Sequence, residues 1–186
     1  MGFRMLPAVV AIATVALLSG CVPQEPVITP EPEPSSTPVF ASDEEALAAA
    51  TDAYAKYLEV SDQITADGGA NPERIARYVT STQLPKEVSA FQELIDADVK
   101  TQGESKFDVV KLQQYSDNLD GTASIVVYLC VDVSAVRVVD SSGIDVTRGD
   151  RIDRFPLEVG FAIEIATPKV PLISRSAPWT GTNFCQ

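Results

Sequence analysis

The run TASIVVYLCVDV (residues 122–133) decides the fold. Ala123, Ile125, Val127, Leu129, Val131 and Val133 point one way; Val126, Tyr128, Cys130 and Asp132 point the other. A period of two is that of a β-strand. Both sets are largely apolar near the middle, so both faces are covered and the strand is central in its sheet.

Downstream, residues 136–139 are expected to continue this strand past a bend at Ser134 and Ala135. DSSGIDVTRGDRID (residues 140–153) is a polar connection. Phe155, Leu157, Val159, Phe161, Ile163 and Ile165 then alternate with Pro156, Glu158, Gly160, Ala162 and Glu164, the pattern of a strand with one wet face. Residues 172–177 offer a last strand. Upstream, SDNLDG (residues 116–121) is a turn rich in Asp and Gly. Before it Phe107, Val109 and Lys111 alternate with Asp108 and Val110.

Ahead of Gly103 the period is helical. Ser42-Asp43-Glu44-Glu45 is a capping box, with a hydroxyl at the cap and a glutamate three residues on. Leu47, Ala50, Tyr54, Tyr57 or Leu58, and Ile64 carry one helical face, which ADGGAN (residues 66–71) breaks. Asn71-Pro72 restarts a short helix with Ile75, Tyr78 and Val79 inward, Asn71 as its cap. Pro85 opens a further helix, whose expected stripe is Val88, Phe91, Leu94, Ile95 and Val99. Helices followed by antiparallel strands define an α+β fold, with N-terminal helices packed on a curved antiparallel sheet.

The N-terminus has a different composition. Arg4 is followed by apolar residues 5–18, interrupted only by Pro7 and Thr14. This run is shorter than the roughly 20 residues a membrane-spanning helix needs. A charged start, a short apolar core and small residues at the end read as a secretory signal. Leu18-Ser19-Gly20-Cys21 resembles the lipobox of bacterial lipoproteins. The resemblance implies cleavage between Gly20 and Cys21 and diacylglycerol on the Cys21 sulfur. Two or more acyl chains hold a protein stably at a membrane.

Residues 1–20 then form the signal peptide, residues 21–41 the lipidated cysteine and a proline-rich linker, and residues 42–186 a single domain. Residues 22–40 hold six prolines and no lysine or arginine. Proline removes backbone donors and favours extended chain, so this segment is a stiff spacer.

Charge and composition exclude several functions. The formal net charge is −12, and loss of Arg4 with the signal makes it −13. That argues against nucleic acid, whose binding requires cationic side chains against phosphates. It also argues against direct adhesion to anionic lipid, so the membrane is reached through the N-terminal lipid alone. There is no histidine. Ser-His and Cys-His nucleophiles are therefore absent, as are the commonest general base and most zinc sites.

Cys130 and Cys185 remain after Cys21. An even pair outside the cytoplasm is usually oxidised, so a disulfide is expected to pin the C-terminal tail to the long strand. Trp179 lies close enough in sequence to pack over it as core or pocket lid. Asp140, Asp145, Asp150 and Asp153 carry calcium-type oxygen ligands, but their spacing is that of no EF-hand loop and solvated turn aspartates are commoner. No metal or cofactor is expected. Arg148-Gly149-Asp150 is read as a chance tripeptide. Asp132, with Tyr128 on the same face, is the candidate acid for catalysis, although four strand residues separate them by about 13 Å. A hydrogen-bonded structural aspartate is the simpler reading.

The order of elements over residues 43–186 resembles the NTF2-like (cystatin-like) cone, in which a bent sheet wraps a helix and leaves a pocket at its open end. YLCVDVSAVRVVDSSGIDVT (residues 128–147) and PWTGTNFC (residues 178–185) are similar to a group of actinobacterial secreted lipoproteins. These resemblances imply a non-enzymatic lipoprotein on the extracytoplasmic face of a bacterial membrane. Its domain would bind a partner protein, a cell-wall component or a small ligand. The alternative that the cone implies is an isomerase or cyclase using a pocket carboxylate.

Overall fold

The first helix begins where the capping box places it. Ser42 Oγ accepts from the Glu45 amide at 3.3 Å, and the Glu45 carboxylate accepts from the Ala41 amide at 2.8 Å. The computed structural model describes residues 37–185; Gly20 and Cys21, and so the signal and lipid-attachment expectations, lie outside them. Helix α1 runs Asp43–Ala66 and buries Ala46, Ala50, Tyr54 and Ile64. A 3-10 helix follows at Pro72–Arg77. Asn71 precedes it with φ +51° and makes no side-chain cap, so it serves by adopting the left-handed backbone rather than by the expected hydrogen bond. At Gly69, φ is +86° and a Cβ would collide with the Phe91 carbonyl, so only glycine fits this turn.

Helix α2 spans Leu84–Asp96. Its inward face is Gln83, Glu87 and Phe91, one turn apart, while Ile95 is 44% exposed. The expected stripe holds in part: Phe91 is buried and Val88 and Leu94 half-buried, while two polar residues, Gln83 and Glu87, take the buried positions beside Phe91. Val99 leaves the helix altogether and starts strand β1.

Among the described residues six strands make two sheets. Strands β2 (Lys106–Asp117), β3 (Ala123–Asp132), β5 (Arg154–Ile163) and β6 (Leu172–Pro178) form an antiparallel sheet in the order β2-β3-β5-β6. Strands β1 (Val99–Gln102) and β4 (Arg137–Asp140) pair with each other in a separate sheet. The expectation that residues 136–139 prolong β3 is corrected here, since β4 turns away to meet β1. The central position of β3 holds, with β2 and β5 on its two sides. Ile125, Val127 and Leu129 are almost fully buried on the face toward the core. Burying each such side chain stabilises the fold by about 1.5–3 kcal/mol.

Strand β2 departs from simple alternation. Phe107, Val110, Leu112 and Tyr115 pack against the core. Two of the steps between them are odd, and the register slips at the same two places, between Asp108 and Lys111 and between Leu112 and Gln114. Each slip is a bulge that returns the apolar residues to the core face. Val109, expected beside Phe107, instead sits in the first bulge with φ +53° and 41% exposure. The bulges also roughen the outer edge of the sheet, which discourages pairing with another chain. At the opposite edge Ile173 exchanges backbone bonds with Tyr78 and Thr80 at 2.9 Å.

The second face of β5 is drier than its pattern suggests. Pro156 and Gly160 are buried, and the strand stops at Ile163, leaving Ile165 70% exposed. At Gly160 the neighbours are Ser174 and Arg175 of β6, and at Pro156 the cause is the C-terminal tail. The Trp179 ring lies 4.6 Å from Tyr128, Phe184 lies 6.1 Å from it, and Cys185 is bonded to Cys130. The tail also explains a proline in an inner strand. Pro156 pairs with Cys130, beyond the last β6 partner, and its carbonyl accepts from Trp179 N at 3.0 Å. A strand residue's N–H and C=O point to the same side, so the missing donor faces the end of β6 and costs no ladder bond.

The core also takes in Val39 and Phe40, which composition assigns to the linker. The Val39 amide donates to Asp117 at 2.5 Å and the Phe40 amide to the Tyr115 hydroxyl at 2.9 Å. No described helix is long and apolar enough to cross a membrane.

Candidate functional site

Two places in the domain carry chemistry worth following: a buried polar cluster between α1 and α2, and an open groove along α1.

The buried cluster centres on Glu87. Its Oε2 accepts from the Tyr57 hydroxyl at 2.8 Å and its Oε1 from Gln83 Nε2 at 2.9 Å. Burial, then the negative charge and bond of Glu87, hold the Tyr57 phenol far above its ordinary pKa. Burial likewise pushes Tyr54 up, with the Glu87 charge second. Both phenols therefore stay protonated at neutral pH, and Tyr57 remains a donor. In the neighbouring core Tyr54 packs edge-on against Phe107 at 4.9 Å, and Ile64, Ile75 and Phe161 are almost fully buried. Both carboxylate oxygens of Glu87 are thus committed to protein partners. The sequence carried a signal for this cluster: Glu87 lies four residues from both Gln83 and Phe91, on the face that Phe91 defines.

The groove has a volume of about 890 Å³ and two walls. One is α1, through Ala55, Leu58, Glu59, Asp62 and Ala66; the other is the β1–β2 turn, through Gly103, Glu104, Ser105 and the first residues of β2. Asp62 ties the walls together, accepting from both the amide (2.7 Å) and the hydroxyl (2.8 Å) of Ser105. Thr101 Oγ1 lies 2.7 Å from Thr65 Oγ1, a second tie. Gly103 has φ +97°, and a Cβ there would strike the Ala135 carbonyl, so the turn is pressed against the chain behind it. The groove is thus preformed. Leu58 and Phe107 supply its apolar surface.

The residues singled out from sequence fall elsewhere. Asp132 is no raised-pKa acid. Bonds from Ser134 hold its carboxyl below the usual range, with Arg154 adding to the effect. It caps its own turn by accepting from the Ser134 amide at 2.9 Å. Tyr128 faces Trp179 and Glu158 instead of Asp132. Asp140 accepts from the Ser142 and Ile144 amides, and Asp145 from the Thr147 amide. Asp150 pairs with Arg148 at 2.9 Å and Asp153 with Arg151 at 2.8 Å. Each of the four aspartates closes a local turn or neutralises a neighbour. Arg148 and Asp150 of the RGD tripeptide are spent on each other. The Cys130–Cys185 disulfide is present, and both cysteines are buried. Trp179 packs on Tyr128 beside it, with Gly181 folded against the indole.

No protein-family model matches the chain, and no curated protein does. Among solved structures, the intermembrane space region of the chloroplast protein ARC6 is similar over 73% of this chain and 97% of its own length, with a TM-score of 0.52 at 7% identity. A periplasmic fragment of TraM covers 74% of this chain and 96% of its own, with TM-score 0.45 and 13% identity. Aln2 from a Streptomyces species covers 73% and 93%, with TM-score 0.39 and 13% identity. The likeness to the ARC6 region is one of α+β fold.

Proposed function

We propose that this chain is a non-enzymatic lipoprotein of the extracytoplasmic face of a bacterial cell membrane. Signal cleavage falls between Gly20 and Cys21, and acyl groups on Cys21 hold the chain to lipid. Its NTF2-like domain works by binding, with a partner protein or a cell-wall component as the occupant.

The observation that carries this reading is the Cys130–Cys185 disulfide, because such bonds persist in oxidising compartments. Three further features support it. The ARC6 region, which has a similar fold, belongs to an intermembrane space. Both oxygens of the interior carboxylate, Glu87, accept from protein donors. The preformed opening lies along α1, outside that interior.

Intact-mass measurement of the membrane-extracted protein tests the address. The expected mass is that of a chain beginning at Cys21 and carrying acyl groups. A chain with an unmodified Cys21, or one recovered from the cytosol, would overturn the reading. Crosslinking in intact cells from the exposed positions Gln63 and Ser142 tests the binding role. Capture of no partner from either position would count against it.

A further inference from the structure

We infer that the groove along α1 is a docking site for a basic peptide segment of a partner protein, anchored by an apolar side chain. This rests on the binding role proposed above and gives it a place and a chemistry.

Two observations point to a cation. First, α1 carries six carboxylates against the single Lys56, and two of them, Glu59 and Asp62, line the groove. Second, the groove holds Glu59, Asp62 and Glu104 against one cation, Lys106. Asp62 is committed to Ser105, but among the described residues neither Glu59 nor Glu104 makes an ion pair. Lys106 is shared with Asp132, its partner across the ladder, whose carboxyl it helps to hold low.

The apolar surface distinguishes this site from a merely acidic face. Leu58 and Phe107 are both half-buried and line the groove together with Glu59 and Glu104. From Ala55 to Ala66 the helix rises about 16 Å, room for roughly five extended residues. The occupant is therefore a short segment with one apolar side chain between Leu58 and Phe107, flanked by Lys or Arg facing Glu59 and Glu104. Because Asp62–Ser105 and Gly103 fix both walls, little ordering opposes docking.

The test uses the purified full chain and a fluorescein-labelled 12-residue peptide with four lysines around one leucine, followed by anisotropy. Two control peptides replace the lysines with glutamate or the leucine with serine. Expected are saturable binding, at least about tenfold weakening with either control peptide, and hydrogen-exchange protection confined to residues 55–66 and 103–107. Glu59→Lys/Glu104→Lys should weaken binding at least about tenfold, while Glu73→Lys/Glu93→Lys, with the same net charge and outside the groove, should leave it within about twofold. All four positions are exposed, so the variants should fold. Equal losses in the two variants, protection elsewhere, indifference to the leucine, or no binding at all would overturn the proposal. Cellular crosslinking separates the two claims. Capture from Ser142 but not Gln63 removes the groove and leaves the binding role standing; capture from neither removes both. A segment captured at Gln63 and found to be acidic also overturns the groove proposal.

Discussion

Arg154 donates through Nε to the carbonyl oxygen of Cys185 at 2.6 Å, and its Nη2 reaches Asp108 at the same distance. One side chain of β5 thus holds the last described residue of the tail to β2, beside the bridge from Cys185 to Cys130. The tail is fastened twice, covalently and by a charge-assisted bond.

The bridge is the stronger fastening. It closes a loop of 55 residues, for which the chain-entropy picture gives about 4 kcal/mol. Cys130→Ala/Cys185→Ala should lower the melting temperature by roughly 10 °C, at about 2–4 °C per kcal/mol for a domain of this size. Reductant should affect the unaltered chain in the same direction and the variant not at all. An unchanged melting temperature in calorimetry would show that Arg154 and Trp179 alone hold the tail.

Tyr57 and Glu87 should prove energetically coupled. Tyr57→Phe removes a donor from a buried carboxylate and should cost about 1.5–3 kcal/mol. Glu87→Met should also destabilise, but the double variant should cost less than the sum, by at least about 0.5 kcal/mol. Urea unfolding of the four proteins measures this. Strict additivity would mean that the hydroxyl finds another partner at no loss.

The N-terminal strap should loosen in acid. The Tyr115 hydroxyl, and then the Val39 amide, hold the Asp117 carboxyl below its ordinary pKa. A depressed folded pKa contributes stability that is present above the unfolded value, about 3.9, and is lost as pH falls through the folded one. Hydrogen exchange at the Val39 and Phe40 amides should therefore accelerate below about pH 4, beyond its intrinsic pH dependence. Asp117→Asn should flatten that extra response. An identical profile in the variant would assign the effect to another group.

Val109 is a β-branched residue at φ +53°, a conformation that costs about 1–3 kcal/mol. Since the side chain is substantially exposed, little packing is lost on replacement. Val109→Asn should raise the melting temperature by about 2–4 °C. Val110→Asn, one position on and packed against the core, should lower it. A drop with Val109→Asn would mean that the bulge is held by the valine itself.

What could be read from sequence follows from how local the cause is. Strand β3 was legible because ten residues obey one period with no interruption. The capping box of α1 was legible because cap and glutamate lie within one turn. The bulges of β2 were not, since alternation alone gives no reason to skip at Val109; the skip is imposed by the core that Val110 and Leu112 must reach. Strands β1 and β4 have four residues each and exist because they meet, so neither shows a pattern alone. The groove is a product of the same long-range meeting: Asp62 and Ser105 are 43 residues apart and polar, and nothing local marks them as partners. Glu87 had a local signal in its spacing from Gln83 and Phe91, but a glutamate in an amphipathic helix is ordinarily assigned to the wet side.

The bond from Val39 to Asp117 joins residues 78 positions apart. A ribosome adds about 5–20 residues per second, so some 4–15 s of synthesis separate the two ends of that contact. Helix α1 is complete early in that interval, whereas Phe107, which packs on Tyr54, is made only toward its end. The strap at Val39 and Phe40 therefore cannot lock until Tyr115 and Asp117 of β2 have been made.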